Sequence, residues 1–182
     1  MEAVALVILV AWGAFWIYWL AASVGVKAGR TRWGAFAGFR VALVLIVLLL
    51  VRLRIFKGNT TTNNPWLEGI GLAVFLSGLA LAVWARIYLG RNWGMPMSEK
   101  TDAELVTSGP YRTVRHPIYA GLIIAMAGTA IAVSWFWLIA VVVLGAYFIY
   151  SATREERYMT GLFPDAYPAY KRTSKMLIPF VL

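Results

Sequence analysis

The sequence predicts an all-α integral membrane protein, and three observations carry that reading. Of its 182 residues, 61% are hydrophobic and 14% are charged, whereas soluble domains are about half apolar and a quarter charged. Charge-free runs of membrane-spanning length recur along the chain, and arginines and lysines gather at their ends. The expected architecture is five transmembrane helices, the last two a short helical hairpin, with a large loop and the C-terminal tail on the cytoplasmic face. Residues 1–182 form one domain, with N-terminal helices in 1–58 and the functional half in 66–182.

Residues 3–26 carry no charge over 24 positions, enough to span a bilayer. No cleavage-site pattern follows a basic start, so this run is read as a retained helix. Residues 41–51 are apolar but few, and they span only if the helix starts near Trp33 and Arg40 and Arg52 snorkel. Residues 59–65 form a polar loop in which Pro65 suits a helix start. The third span is residues 66–85, with Trp84 and Tyr88 as interfacial anchors and Gly71 and Gly78 permitting close helix packing. Trp12, Trp16 and Trp19 recur at helical spacing and read as lipid or packing contacts.

Residues 90–117 are a polar stretch holding Gly94, Pro96, Gly109 and Pro110, long enough to imply a function of its own. Residues 118–150 then run for 33 positions without a charge. One helix of that length would reach roughly 50 Å, too long even when tilted, whereas two ideal spans need about 40 residues. A hairpin turning near Ser134-Trp135 resolves the conflict, with Gly128 loosening its first arm. Beyond Ser151 the chain is expected to leave the membrane. Thr153-Arg154-Glu155-Glu156 would open a polar helix, and Phe163-Pro164-Asp165 would form a turn.

Fourteen of the 17 basic residues fall on one side of this five-helix arrangement, and only Arg52, Arg54 and Lys57 fall opposite. The positive-inside rule then places the N-terminus outside and the C-terminus in the cytoplasm, in a multi-pass protein of a prokaryotic plasma membrane. The net charge of +9 reads as topology signals and contacts with membrane lipids rather than as a nucleic-acid surface. With no cysteine the chain has no disulfide and no thiolate nucleophile, and a single histidine argues against a metal centre.

The most informative stretch is LVTSGPYRTVRHPIY, residues 105–119, which contains that histidine. Arg115-His116-Pro117 stands at the mouth of an apolar run, where polar groups are costly and usually functional. Blander readings stand beside this one. His116 could anchor an interface, Glu155 and Glu156 could be solvated helix-start acids, Tyr111 could belong to an aromatic belt, and Tyr167 and Tyr170 to a surface-seated tail.

Taken in order, Gly90-Arg91-Asn92-Trp93, Leu105 to Tyr111, Arg115-His116-Pro117-x-Tyr119, Glu155-Glu156, Phe163 and Tyr167-x-x-Tyr170 resemble the isoprenylcysteine carboxyl methyltransferase family. That family is related to the membrane phospholipid methyltransferases. The resemblance implies an S-adenosylmethionine-dependent methyltransferase, with cofactor entering from the cytoplasm and a lipophilic methyl acceptor entering from the bilayer. It implies catalytic roles for Arg115, His116 and Glu155. It assigns cofactor contacts to Leu105, Val106, Tyr111, His116, Pro117, Ile118, Tyr119 and Glu155. Acceptor contacts fall to Arg154, Glu156 and Tyr167.

These residue types suit methyl transfer, an in-line displacement that needs alignment, desolvation and placed charge. One departure stands out. Some members that methylate a prenylcysteine carboxylate carry an arginine four residues before the first glutamate, and Ser151 occupies that position here. The expected acceptor is therefore a lipophilic small molecule or prenylcysteine-like carboxylate, with a phospholipid, amine or thiol as alternatives. A non-catalytic lipid-binding protein, and a nicotinamide-dependent reductase of related fold, are the competing classes.

Overall fold

The computed structural model describes residues 2–24, 29–31, 61–93, 98–100 and 104–177. Four long or apolar helices carry these residues: α1 (Glu2–Ala21), α2 (Pro65–Leu89), α3 (Pro117–Ala132) and α4 (Leu138–Leu162). A short α5 (Ala166–Thr173) follows. Ala3–Ala21, Pro65–Asn92 and Trp135–Leu162 are each long and apolar enough to cross a membrane, and Pro117–Ala132 is a shorter apolar helix. The protein is thus an integral membrane protein of helices. The second span expected at residues 41–51 lies outside the described residues.

α2 starts where its sequence says it should. Pro65 takes the first helical position, and the Asn64 side chain accepts a hydrogen bond from the Trp66 N–H at 2.9 Å. The helix ends at Gly90, whose φ of +51° suits glycine, and a 3-10 turn over Gly90–Asn92 follows.

α2 and α3 form an antiparallel pair whose contact line is built from small residues. A Cβ added to Gly71 would lie 2.4 Å from the Ala132 backbone N, and one on Gly78 would lie 2.4 Å from the Ala125 N. From the other side, a Cβ on Gly128 would lie 2.3 Å from the Phe75 N, and one on Gly121 would lie 2.7 Å from the Ala82 N. The packing expectation for Gly71 and Gly78 therefore holds. Gly128 requires a correction, since it does not loosen α3 but lets the Phe75 backbone close onto it. In a lipid solvent, helices gain from this close approach because apolar burial alone brings little between them.

α1 lies against this pair. Ile8, Phe15 and Trp19 form its buried stripe, while Leu9, Val10, Ile17 and Leu20 face outward. Trp12 packs on Phe75 with ring centroids 5.5 Å apart and donates from Nε1 to the Thr129 hydroxyl at 3.2 Å. Trp19 meets Trp93 edge-on at 5.6 Å, and Trp16 is half exposed. The tryptophans are thus packing and outward-facing residues, as expected.

The hairpin exists but its arms are unequal. α3 has 16 residues, about 24 Å of helix, and the Trp135–Trp137 turn leads into α4 with 25. α4 does not end near Ser151. It runs unbroken through Thr153, Arg154, Glu155 and Glu156 to Leu162, so no second helix starts there. The turn at residues 163–165 is present.

Two ties hold the ends of the bundle. At one end, the Thr62 N–H donates to the Val133 carbonyl at 3.1 Å and its hydroxyl donates to Ile131 O at 2.8 Å. At the other, the Arg86 guanidinium donates to Ala22 O and Gly90 O and stacks 4.8 Å over Trp93. There β1 (Gly29–Thr31) also pairs antiparallel with β2 (Ser98–Lys100), with Arg30 opposite Glu99.

The α2–α3 seam should be the least tolerant surface of the bundle. Gly128→Leu should destabilise the protein by at least about 1–3 kcal/mol through overpacking. Gly145→Ala, which meets no atom within 4 Å, should leave stability nearly unchanged. Thermal unfolding in detergent compares the two, and equal midpoints would rule out the seam.

Candidate active site at the membrane boundary

The start of α3, the second half of α4 and the C-terminal tail converge on one cluster. His116 occupies the N-cap of α3, and Pro117 takes its first helical position. The His116 ring stacks on Tyr119 at 5.5 Å with nearly parallel planes. Tyr119 in turn stacks on Phe148 of α4 at 4.8 Å and donates from its hydroxyl to Glu155 Oε1 at 2.5 Å. His116 Nδ1 lies 3.5 Å from Glu155 Oε2, and Nε2 lies 3.6 Å from Glu156 Oε1.

Glu156 is 4% exposed and gathers cations. Arg115 Nε donates to its Oε1 at 2.6 Å, and Lys171 Nζ sits 2.6 Å from its Oε2. A buried carboxylate is tolerable only when paired in this way. The helix-start reading of Glu155 and Glu156 is thereby corrected: both sit inside α4 and point into packed surroundings.

The tail is part of the site. The Arg115 N–H donates to Lys175 O at 2.8 Å, the His116 N–H to Met176 O at 3.0 Å, and the Lys175 N–H to Thr113 O at 2.9 Å. Arg115 Nη1 also donates to Ser174 O. Tyr167 is buried against Tyr170, whose hydroxyl donates to the Tyr111 carbonyl. The surface-seated reading of the tail therefore gives way to an embedded one.

The 3-10 turn Gly109–Arg112 delivers Tyr111, which is buried rather than a belt residue. Gly109 is required there: its φ is +58°, and a Cβ would come within 2.4 Å of the Tyr88 ring. Pro117, Ile118 and Tyr119 are buried and Val106 packs against the core, while Leu105 is half-buried outside any helix or strand. Ser151 is fully buried on α4 one turn before Glu155. Arg154 stands apart, exposed on the outer side of α4 beside Arg157.

Electrostatics follow the packing. Burial lowers the His116 pKa, but Glu155 and Glu156 outweigh it and raise it above the ordinary 6.5. Burial pushes the Tyr111 and Tyr167 phenols far up and that of Tyr170 up to about 12, so all three remain hydroxyl donors.

Among the described residues, several buried polar atoms lack a hydrogen-bond partner, Tyr111 OH, Ser151 Oγ and Arg86 Nε, and His116 Nε2 has only the 3.6 Å approach of Glu156. Buried polar atoms are nearly always satisfied, so a group of orphans on the elements that build one site points to a ligand. Among the described residues, no group of three or more His, Cys, Asp or Glu could hold a metal ion.

Sequence reasoning did not give site roles to Lys171 or Phe148, took Trp93 only as part of the Gly90–Trp93 motif, and named Arg86 only as a cation that an acceptor carboxylate could use. Lys171 was legible only as a tail charge, and Phe148 only as an apolar residue. Arg86, a cation within an apolar helix, did carry a signal of its own.

This is a helical membrane protein whose polar cluster sits at the end of an apolar hairpin. A family model described as phospholipid methyltransferase matches residues 66–166, which hold α2 to α4 and the cluster apart from its tail residues. Protein-S-isoprenylcysteine O-methyltransferase B of Arabidopsis thaliana is 30% identical over 153 residues, covering 79% of this chain and 74% of the relative. Methanethiol S-methyltransferase 1 of Bradyrhizobium diazoefficiens is 37% identical over 156 residues, covering 78% and 54%. Nickel-cobalt-cadmium resistance protein NccN of Alcaligenes xylosoxydans xylosoxydans is 25% identical over 143 residues, covering 77% of this chain. The chain spans 64% of the length of that relative. It belongs to the family of membrane phospholipid and isoprenylcysteine methyltransferases.

The carboxylate cluster sets a pH dependence. His116 contributes stability that is fully present below pH 6.5 and is lost as pH rises through its raised folded value. Glu156→Gln leaves Arg115 and Lys171 without their carboxylate, which should cost about 3–5 kcal/mol. It should also lower the pH at which that loss occurs. Unfolding in detergent across pH 5–9 measures both, and an unchanged profile would contradict the pairing.

Proposed function

We propose that this protein is an S-adenosylmethionine-dependent methyltransferase acting on a lipophilic acceptor at the membrane. The observation that carries the proposal is the buried Tyr111 hydroxyl, unpartnered among the described residues, beside the cluster of His116, Tyr119 and Glu155. The donor set fits the cofactor. A carboxylate wants N–H and O–H donors, which His116, Tyr111 and the first backbone N–H groups of α3 provide. Hydroxyl and ammonium groups want acceptors, and Glu155 is the carboxylate at hand. Leu105, Val106, Pro117 and Ile118 add apolar cover.

When bound, the cofactor supplies a methyl group on a cationic sulfur, ready for in-line displacement. The protein's residues do the rest. Tyr119 and His116 hold the Glu155 carboxylate in one orientation. Arg115 acts through Glu156 and through the tail carbonyls, fixing the backbone of His116. A thiol or amine acceptor must release a proton, and Glu155 can accept it at Oε2, next to His116 Nδ1. Glu156 and Tyr167 border the same cluster from the tail side. Arg154 lies on the outer side of α4, away from this cluster, and takes no part in holding the acceptor. Ser151, with no charge at its position, supports a lipophilic thiol, amine or weakly anionic acceptor over one that needs an arginine there.

The reading extends to topology: five spans, N-terminus outside, and the cluster on the cytoplasmic face of a prokaryotic plasma membrane. α1 ends and α2 begins at opposite ends of the bundle, the parity five spans require. The β1–β2 pairing sets the 29–31 and 98–100 segments side by side, where the positive-inside rule puts both.

Two experiments test this reading. S-adenosylmethionine and S-adenosylhomocysteine should raise the unfolding temperature of the purified protein and NADPH should not. His116→Ala and Glu155→Ala should each weaken cofactor binding very roughly 10- to 150-fold, the loss of a charge-assisted bond of about 1.5–3 kcal/mol. Calorimetric titration that returns wild-type affinity for both would remove them from the site. For topology, single cysteines at positions 100 and 174 should label from the same face, and opposite labelling would break the five-span arrangement.

A further inference from the structure

The outer face of α4 carries a feature that the cluster does not use. A shallow groove there is lined by Ala146, Ile149, Tyr150, Thr153, Arg154 and Arg157. Val143, Ala146, Tyr150, Arg154 and Arg157 recur every three or four residues, so they form one stripe along the helix. The stripe is apolar at its start and basic at its end. Its apolar part is open: Val142 is 69% exposed, and Val143, Ile149 and Tyr150 are also exposed.

Arg154 and Arg157 carry no ion pair or hydrogen bond among the described residues. The two acids on the same turn face away from them. Glu155 bonds Tyr119, and Glu156 is buried between Arg115 and Lys171. Among the described residues, the groove thus ends in two uncompensated guanidinium groups. The Thr153 hydroxyl already donates to Ile149 O at 2.9 Å, which leaves the Tyr150 hydroxyl and the two arginines as donors.

Depth matches charge. The helical rise from Leu138 to Arg157 is about 29 Å, close to the roughly 30 Å of a hydrocarbon core. Trp135 and Trp137 are exposed at the start of this stretch, where an aromatic belt marks the opposite interface. Arg154 and Arg157 therefore stand at phosphate level, with apolar groove beneath them.

We infer that this face of α4 binds an anionic phospholipid, its acyl chain along Val142, Ala146 and Ile149 and its phosphate between Tyr150, Arg154 and Arg157. Guanidinium groups match phosphate oxygens through paired N–H donors, and an anionic headgroup cancels the charge that a zwitterionic one leaves. The occupant is a bilayer lipid rather than the methyl acceptor, because the groove lies on the side of α4 turned away from His116 and Glu155. The inference stands independently of the proposed chemistry.

The test uses the full chain in phosphatidylcholine vesicles with trace spin-labelled phosphatidylglycerol or phosphatidylcholine. Electron paramagnetic resonance reads the motionally restricted fraction of each. The wild type should select phosphatidylglycerol. Arg154→Gln/Arg157→Gln should reduce that selectivity by roughly fivefold per arginine. Ala146→Trp, which fills the groove without changing charge, should reduce it as well. Arg172→Gln/Lys175→Gln, which changes two side chains exposed on the otherwise embedded tail, should preserve it. Selectivity that survives both groove variants, or that falls equally in the tail variant, overturns the site. Displacement of the labelled lipid by dodecanethiol, with a raised KM for that thiol in the double arginine variant, would assign the groove to the acceptor and also overturn it.

Discussion

Two adjacent carboxylates on a helix that reaches into the membrane impose the constraint around which the functional end is arranged. Consecutive helical residues point about 100° apart, so Glu155 and Glu156 take different partners and have only His116 in common. Glu155 meets Tyr119 and His116 at the start of α3. Glu156 meets Arg115 and Lys171. An unpaired charge at that depth would cost several kcal/mol, so the partners have to be brought in from distant parts of the chain. The tail folds back to deliver Lys171, and in doing so its backbone pairs with residues 113–116. The orientation of the single histidine thus depends on a carboxylate 40 residues further along the chain and on a strand-like contact with the tail.

The glycine and alanine seam between α2 and α3 makes this arrangement possible. Gly71, Gly78, Gly121 and Gly128 let the two backbones touch, and this contact sets the height of the N-terminus of α3 relative to the end of α2. Arg86 and Trp93 at that end close the bundle against α1. This close packing holds the buried Tyr111 hydroxyl in place without a partner among the described residues. Orphaned donors are expensive in a fold and useful in a site, because a ligand that satisfies them gains what the protein gave up.

α4 divides its labour by face. Its inner side holds Ser151, Glu155 and Glu156, all turned toward the bundle, while its outer side holds an open apolar stripe that ends in Arg154 and Arg157. Separation of the two faces keeps surface arginines from competing with His116 and Arg115 for the internal carboxylates.

The sequence by itself determined the membrane class, the α2 start at Pro65, the helical hairpin, the Gly71 and Gly78 contacts and most of the residues that meet at the cluster. These signals are local: charge-free length, a proline beside a capping asparagine, glycine spacing, and an ordered polar motif against an apolar run. Only the tertiary structure decided that α4 continues through Glu155 and Glu156, because a polar residue within a helix becomes a boundary or a buried pair according to what packs on it. It also decided the pairing of Lys171 with Glu156, the embedding of Tyr167 and Tyr170, and the outward placement of Arg154. Each depends on which face of a helix meets a segment remote in sequence. One residue of displacement rotates a side chain by about 100°, and only the packed neighbours reveal which way it turned.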